Sequence, residues 1–267
     1  MPHSRSKKLT IMRSSQIASR RLEELIEHEN IHVSKHPSSL VTYGLLRKAF
    51  QIHKSVLILC REGLGSEAYA LSRILIEIFI ALRWITNDDQ DNRAKEYGFF
   101  VAKRKEYWAK IGTKYYAAGA AWKSEIARQQ KIFDKYAKRY KYFYFWSNLA
   151  EKLKGMAREK ESLESSPPAP PDALWDYEVP YSMASDHVHA TSMAVDELLP
   201  EVGKPFRLSV LTNDSLIANA AFTSTAWLFK IAFRVDSFRK LDLASQIDRI
   251  FRPHGNRAKS SVATSRS

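Results

Sequence analysis

Apolar residues recur at three- and four-residue spacings along most of this chain, and no stretch shows the period of two that a half-buried strand requires. Over 8–29, Ile11, Ile17, Ala18, Leu22, Leu25 and Ile26 trace a narrow stripe that predicts a helix docking on the rest of the molecule or on a second copy. A turn-rich stretch at 34–39 follows. Residues 40–61 then read as a long helix ended by Gly63 and Gly65, with Ser66 as the cap of the next. From 67 to 86 the pattern is apolar on nearly every side, as a central helix requires, and Asn87, Asp88, Asp89 and Asp91 close it. Two long helices joined by so tight a turn form an antiparallel hairpin.

Asp91 or Asn92 opens a third helix to about residue 111, and 117–140 continues helical with Lys and Arg at many outward positions. Tyr140 and the run Tyr142, Phe143, Tyr144, Phe145 and Trp146 offer either a stacking platform for bases or a core contact. Pro167, Pro168, Pro170, Pro171 and Pro180 make 161–180 a surface loop. Helical patterning returns over 181–199. Asn213 or Asp214 caps a helix to 235, in which Ala218, Ala220 and Ala221 permit close approach of a neighbour. A short amphipathic segment at 240–251 precedes a polar, basic tail at 252–267. The fold class is therefore all-α: an antiparallel helical bundle with a basic helical insertion and flexible termini. Residues 1–38 supply an N-terminal helix and linker, 39–240 the bundle, and 241–267 the tail.

With 267 residues, 45% of them hydrophobic, the chain is long enough for one sizeable core. Its one cysteine, Cys60, excludes an intramolecular disulfide and reads as a core residue, and no apolar signal core precedes residue 40. These features point to a reducing cytoplasm. Residues 68–85 approach the length of a membrane span, but Arg73, Glu77 and Arg83 would be costly in lipid, so a buried helix and no membrane partner are expected. Charge is unevenly placed. Of the net +13, about +12 falls within 93–160, where 18 Lys and Arg face 6 Asp and Glu. That region, including Lys103, Arg104, Lys105, Lys138 and Arg139, is where RNA or another polyanion would bind.

Two polar stripes carry the candidate chemistry. Tyr69, Arg73 and Glu77 stand four residues apart on the central helix, among Leu71, Ile74, Leu75, Ile76 and Ile78, so an ion pair is held in apolar company. Tyr181, Ser185 and His189 repeat that spacing later in the chain, lining up a phenol, a hydroxyl and an imidazole. Were the stripes to face each other, Arg73, Glu77 and His189 would converge. They would then form either a catalytic site, a pocket for a small charged ligand, or a hydrogen-bonded network that fixes helix register. His28, His32 and His36 are spaced by four, but Ser34 and Pro37 end the helix first, so no metal site is expected. The chain carries no Gly-rich phosphate loop, dinucleotide fingerprint or nucleophile elbow, and no cofactor is expected.

The Arg-x-x-x-Glu helix in "EAYALSRILIEIFIALRWI", followed by the Tyr-x-x-x-Ser-x-x-x-His pattern in "YSMASDHVHA", resembles a family of all-helical bacterial and phage-associated proteins of unknown function, over about 40–235. More loosely, the architecture looks like the helical HEPN ribonucleases and toxins, in which an Arg and a His cleave RNA. That resemblance implies His189 as acid–base group and Arg73 as the stabiliser of phosphate charge, oriented by Glu77. The chain departs from the HEPN spacing: Ser182, Met183 and Ala184 stand where the Arg before His189 would be, leaving Arg73 as the donor from another helix.

Overall fold

The computed structural model describes residues 2–28, 35–87, 89–99 and 214–239, together with 111, 123–124, 127, 184–185 and 188. Every regular element among them is a helix. They are α1 (Pro2–His28), α2 (Pro37–Arg61), α3 (Gly65–Asn87), α4 (90–99) and α5 (Asp214–Arg239). The all-α bundle expected from the periodicity is what the chain forms.

The boundaries follow local chemistry more closely than the sequence pattern suggested. Pro37 does not delay α2 but starts it: proline fits the first turn, where its missing N–H has no intrahelical partner anyway. The expected turn at 34–39 therefore shortens, and Ser38 and Ser39 become buried helical residues. Glu62 follows the last helical residue of α2, after which Gly63 adopts φ 82°, and its N–H donates to the Cys60 carbonyl at 3.2 Å. The Leu64 N–H reaches back to the Leu59 carbonyl at 2.9 Å. This paired closure satisfies two terminal carbonyls, and the left-handed position it requires is one that glycine fills without strain. Ser66 is not the cap of α3. The helix opens at Gly65, the Ala68 N–H already donates to the Leu64 carbonyl at 3.0 Å, and Ser66 lies inside the first turn.

The core is built by α3 against α5 and α2, with α1 laid over α5. Leu75, Ile76, Ile80, Leu82 and Ile85 of α3 are fully buried, as are Ile217, Leu228 and Ile231 of α5. Each such side chain contributes about 1.5–3 kcal/mol relative to exposure. Ala220, Ala221, Ser224 and Ala232 are equally buried and keep the α5 backbone close to its neighbours. Cys60 is buried, as expected, with its thiol 3.5 Å from the Ile217 carbonyl. On α1 the docking face is Met12, Ser15, Ala18 and Leu22, all buried within this chain, while Ile17 is exposed and lies off the stripe assigned to it. The helix of 214–239 outruns its expected end at 235 by one turn. Arg239 there bonds the Ser39 hydroxyl and lies over the Tyr43 ring at 5.3 Å.

By length and composition, Ser215–Arg239 is apolar enough to cross a membrane, rather than the 68–85 segment singled out by the sequence; half of its apolar window is buried inside the bundle. A buried core helix has the same composition.

Asp91 ties α4 to the start of α2. His36, at the N-cap of α2, makes no capping bond through its own side chain. Asp91 supplies it from a distant part of the chain: one carboxylate oxygen accepts the Ser38 N–H at 3.1 Å and the other lies 3.2 Å from His36 Nδ1. Hydrogen bonds from the Ser38 side chain and N–H hold the Asp91 carboxyl below the usual carboxylate range. Arg93 fastens the same corner by donating to the Trp84 carbonyl at 2.7 Å and lying over the indole at 5.5 Å. His36 thus serves a structural contact, His32 lies outside the described residues, and no cluster of three potential metal ligands occurs among those described.

Candidate functional site

The first polar stripe survives as an ion pair on the wall of a cleft. Arg73 Nε donates to Glu77 Oε1 at 3.0 Å across one helical turn, and the side chains are 20% and 26% exposed. The pair is at the rim of the bundle, not inside it, so its desolvation cost is smaller than that of a fully buried bridge. The cleft, of about 600 Å³, is lined on α3 by Ser66, Glu67, Ala70, Ile74 and the pair itself.

Tyr69 is displaced from this set. Each four-residue step advances about 400°, so a row spaced by four drifts about 40° per step around the helix. The drift turns Tyr69 into the core, where 8% of it is exposed, while Ala70 and Ile74 occupy the cleft wall between the charged residues. Tyr97 of α4 is a neighbour that the spacing of polar residues does not reveal. Its phenol pKa is pushed up, by burial first and then by the negative charge of Glu77.

Of the second stripe, Ser185 alone is among the described residues. Residues 184–185 and 188 are helical; Ala184 joins the core, Ser185 is half-buried, and Val188 lines the same cleft as Arg73 and Glu77. His189 and Tyr181 lie outside the described residues, as do Lys103, Arg104, Lys105, Lys138 and Arg139. The structure therefore brings Val188 to the Arg73–Glu77 cleft.

A second polar centre lies in the core itself. His53 of α2 is 2% exposed, and its Nδ1 is 3.1 Å from the Ser224 hydroxyl of α5. Its Nε2 is buried without a hydrogen-bond partner. Burial lowers the ring's pKa from 6.5 to about 4, because a charged imidazolium in this setting would lose its hydration. The signal was present in the sequence: Ala49, His53, Val56 and Cys60 follow the 4-3-4 spacing of a single buried face, and all four are buried.

No match is found among curated proteins, and none among solved structures. The sequence model of DUF5677, a family of unknown function, matches residues 39–202, more than half of the chain from α2 through the segment that reaches the cleft, and the chain belongs to that family.

Proposed function

We propose that the cleft along α3 is the working site of this protein, that Arg73 is its anion-binding group, and that the anion is the phosphate of an RNA. The observation that carries this reading is the partly exposed Arg73, held by Glu77 on the wall of a cleft that Val188, the neighbour of His189 in sequence, also lines. A guanidinium is a planar fork of N–H donors that matches a phosphate, and one oriented beforehand by a carboxylate loses less freedom on binding. The strongly basic stretch 93–160 supports the same assignment, as a surface for the rest of the polyanion.

In its sharper form the proposal is a metal-independent ribonuclease of the HEPN-like, toxin or phage-defence kind, acting in the cytoplasm. His189 takes the proton from a ribose 2′-hydroxyl, whose oxygen attacks the adjacent phosphorus and expels the 5′-oxygen, which takes a proton from water as it leaves. Arg73 stabilises the charge that builds on the phosphate, and Glu77 is a positioning residue. Tyr181 and Ser185 of the same stripe belong to the binding surface.

A second reading has its own support. The described cleft wall carries Glu67 and Glu77 beside Arg73, and a volume of about 600 Å³ suits a small molecule. A mixed set of this kind would hold a compact ligand bearing both charges, with no chemistry performed.

The test is incubation of purified protein, Arg73→Ala and His189→Ala with mixed RNA, read as cleavage, as retention of labelled RNA on filters, and as melting temperature. The ribonuclease reading expects cleavage by the wild type and its loss in both variants at unchanged melting temperature. Retention that weakens in Arg73→Ala without cleavage would reduce the function to RNA binding. Neither cleavage nor retention by the wild type would overturn the RNA assignment and leave the small-ligand reading.

A further inference from the structure

The helices α1 and α2 touch each other only slightly, although each packs closely on α5. Between them runs a cleft of about 460 Å³, continued by a hollow of about 530 Å³ that shares Glu23, Arg47 and Phe50. His53 belongs to the lining of the first cavity, and its Nε2 is the atom left without a partner.

The hydrogen-bond pattern says what that atom presents. The Ala221 carbonyl accepts the Thr225 hydroxyl at 2.7 Å, besides the helical N–H four residues on, and the Ser224 hydroxyl, within hydrogen-bonding distance of that carbonyl at 3.1 Å, competes for it as the weaker donor. A carbonyl has two lone pairs, so the Ser224 proton is left for His53 Nδ1, 3.1 Å away. The hydrogen of the neutral ring then resides on Nε2. A residue lining the cleft thus carries a buried N–H donor with nothing to donate to, a group that is costly to bury unless a partner meets it.

What surrounds the donor selects the acceptor. Arg47, Lys54 and Arg20 line the cleft against one carboxylate, Glu23. Arg20 is engaged by Glu24 at 3.0 Å, while Arg47 and Lys54 make no ion pair among the described residues. Phe50 and Leu57 give the same cavity an apolar wall.

We propose that the α1–α2 cleft is a binding site for a small molecule with an oxyanion head and an apolar body, the head held by His53, Arg47 and Lys54 and the body by Phe50 and Leu57. This site is separate from the α3 cleft, and either can fail without the other.

Phenyl phosphate is the probe, with inorganic phosphate and benzyl alcohol as controls for head and body alone. Binding is followed in full-length protein by calorimetry and by the ¹⁵N and ¹H NMR signals of the His53 ring. The expected result is saturable binding of phenyl phosphate with a shift of the Nε2–H signal, and weaker binding of both controls. Affinity should fall at least tenfold in His53→Leu, which replaces a core imidazole by a core hydrocarbon, and severalfold in Arg47→Ala at an exposed position. Absence of a saturable shift, equal binding of benzyl alcohol, or undiminished affinity in His53→Leu would each overturn the proposal. Should His53→Leu melt early, Arg47→Glu tests the site from the surface instead: unchanged affinity for phenyl phosphate there defeats the proposal.

Discussion

Arg73 and Glu77 on α3 keep a fifth to a quarter of their surface in water, whereas His53 on α2 meets Ser224 of α5 almost wholly out of water. The first arrangement leaves both groups charged at the edge of a cleft, where solvent screens them and a ligand can reach them. The second holds its titratable group neutral, because the core offers His53 a hydroxyl and no counter-charge. Of these two pairs, the ionic one is at the rim and the one in the core is neutral. The two pairs therefore answer substitution differently, and the buried ring makes the stability of the fold depend on pH.

Acid provides the largest separation. Above pH 6.5 the His53 ring is neutral whether the chain is folded or unfolded, and it contributes nothing to pH dependence. Between pH 6.5 and about 4 the unfolded chain takes up a proton that the folded one refuses, so stability falls as pH falls. Across that window the loss approaches about 3 kcal/mol. Urea unfolding at a series of pH values should show this slope in the wild type and its removal in His53→Leu. A slope that survives His53→Leu would assign the acid sensitivity to other groups and dissolve the contrast.

Ser224→Ala comes next. It removes the one hydrogen-bond partner of a buried ring and should cost about 1–3 kcal/mol. The double replacement His53→Leu with Ser224→Ala should recover much of that loss, since an apolar pair leaves no polar atom unsatisfied. Equal losses in the single and double variants would show that packing, not the unmade bond, sets the cost.

Both responses trace to a residue whose place was legible and whose partner was not. The 4-3-4 spacing puts His53 on the buried face of α2, but Ser224 is 171 positions away, and only the packing of α5 on α2 brings it there. The same division holds elsewhere. Helix existence followed from periodicity, and the Gly63 closure from the need for a left-handed residue. Pro37 is ambiguous in sequence because proline both ends and begins helices, and only the following residues decide which. At the cleft, the Arg73–Glu77 pair is an i, i+4 contact and therefore local, while the approach of Val188 and the influence of Glu77 on Tyr97 are tertiary. Tyr69 shows the limit of counting by four, which treats as one face a row that winds gradually around the helix.

A smaller effect sharpens the view of charge at the rim. Asp91 caps α2 through the Ser38 N–H and is itself 42% exposed on its side chain. Asp91→Ala should lower stability by about 0.5–1 kcal/mol, in the range of a lost helix cap. Asp91→Asn, which keeps an acceptor oxygen, should lose less. Because hydrogen bonds keep the Asp91 carboxyl pKa below its ordinary value, the aspartate's advantage over asparagine should persist above the usual carboxylate range and vanish as pH falls through the lowered folded pKa. Thermal melting of the two variants against pH checks both statements.

The smallest expected effect belongs to the pair on which the proposed function rests. A double-mutant cycle with Arg73→Ala and Glu77→Ala should give a coupling of about 0.5 kcal/mol or less in stability, since both groups are partly solvated and the pair spans a single helical turn. Salt should reduce even that. A coupling of several kcal/mol would mean that the bundle depends on the bridge, and loss of function in Arg73→Ala would then follow from loss of fold. With a small coupling, the same variant reports on the cleft alone, because Arg73 can be removed from an intact helix whose fully buried Leu75 and Leu82 lie on its other side. Any change in RNA retention would then belong to the missing guanidinium.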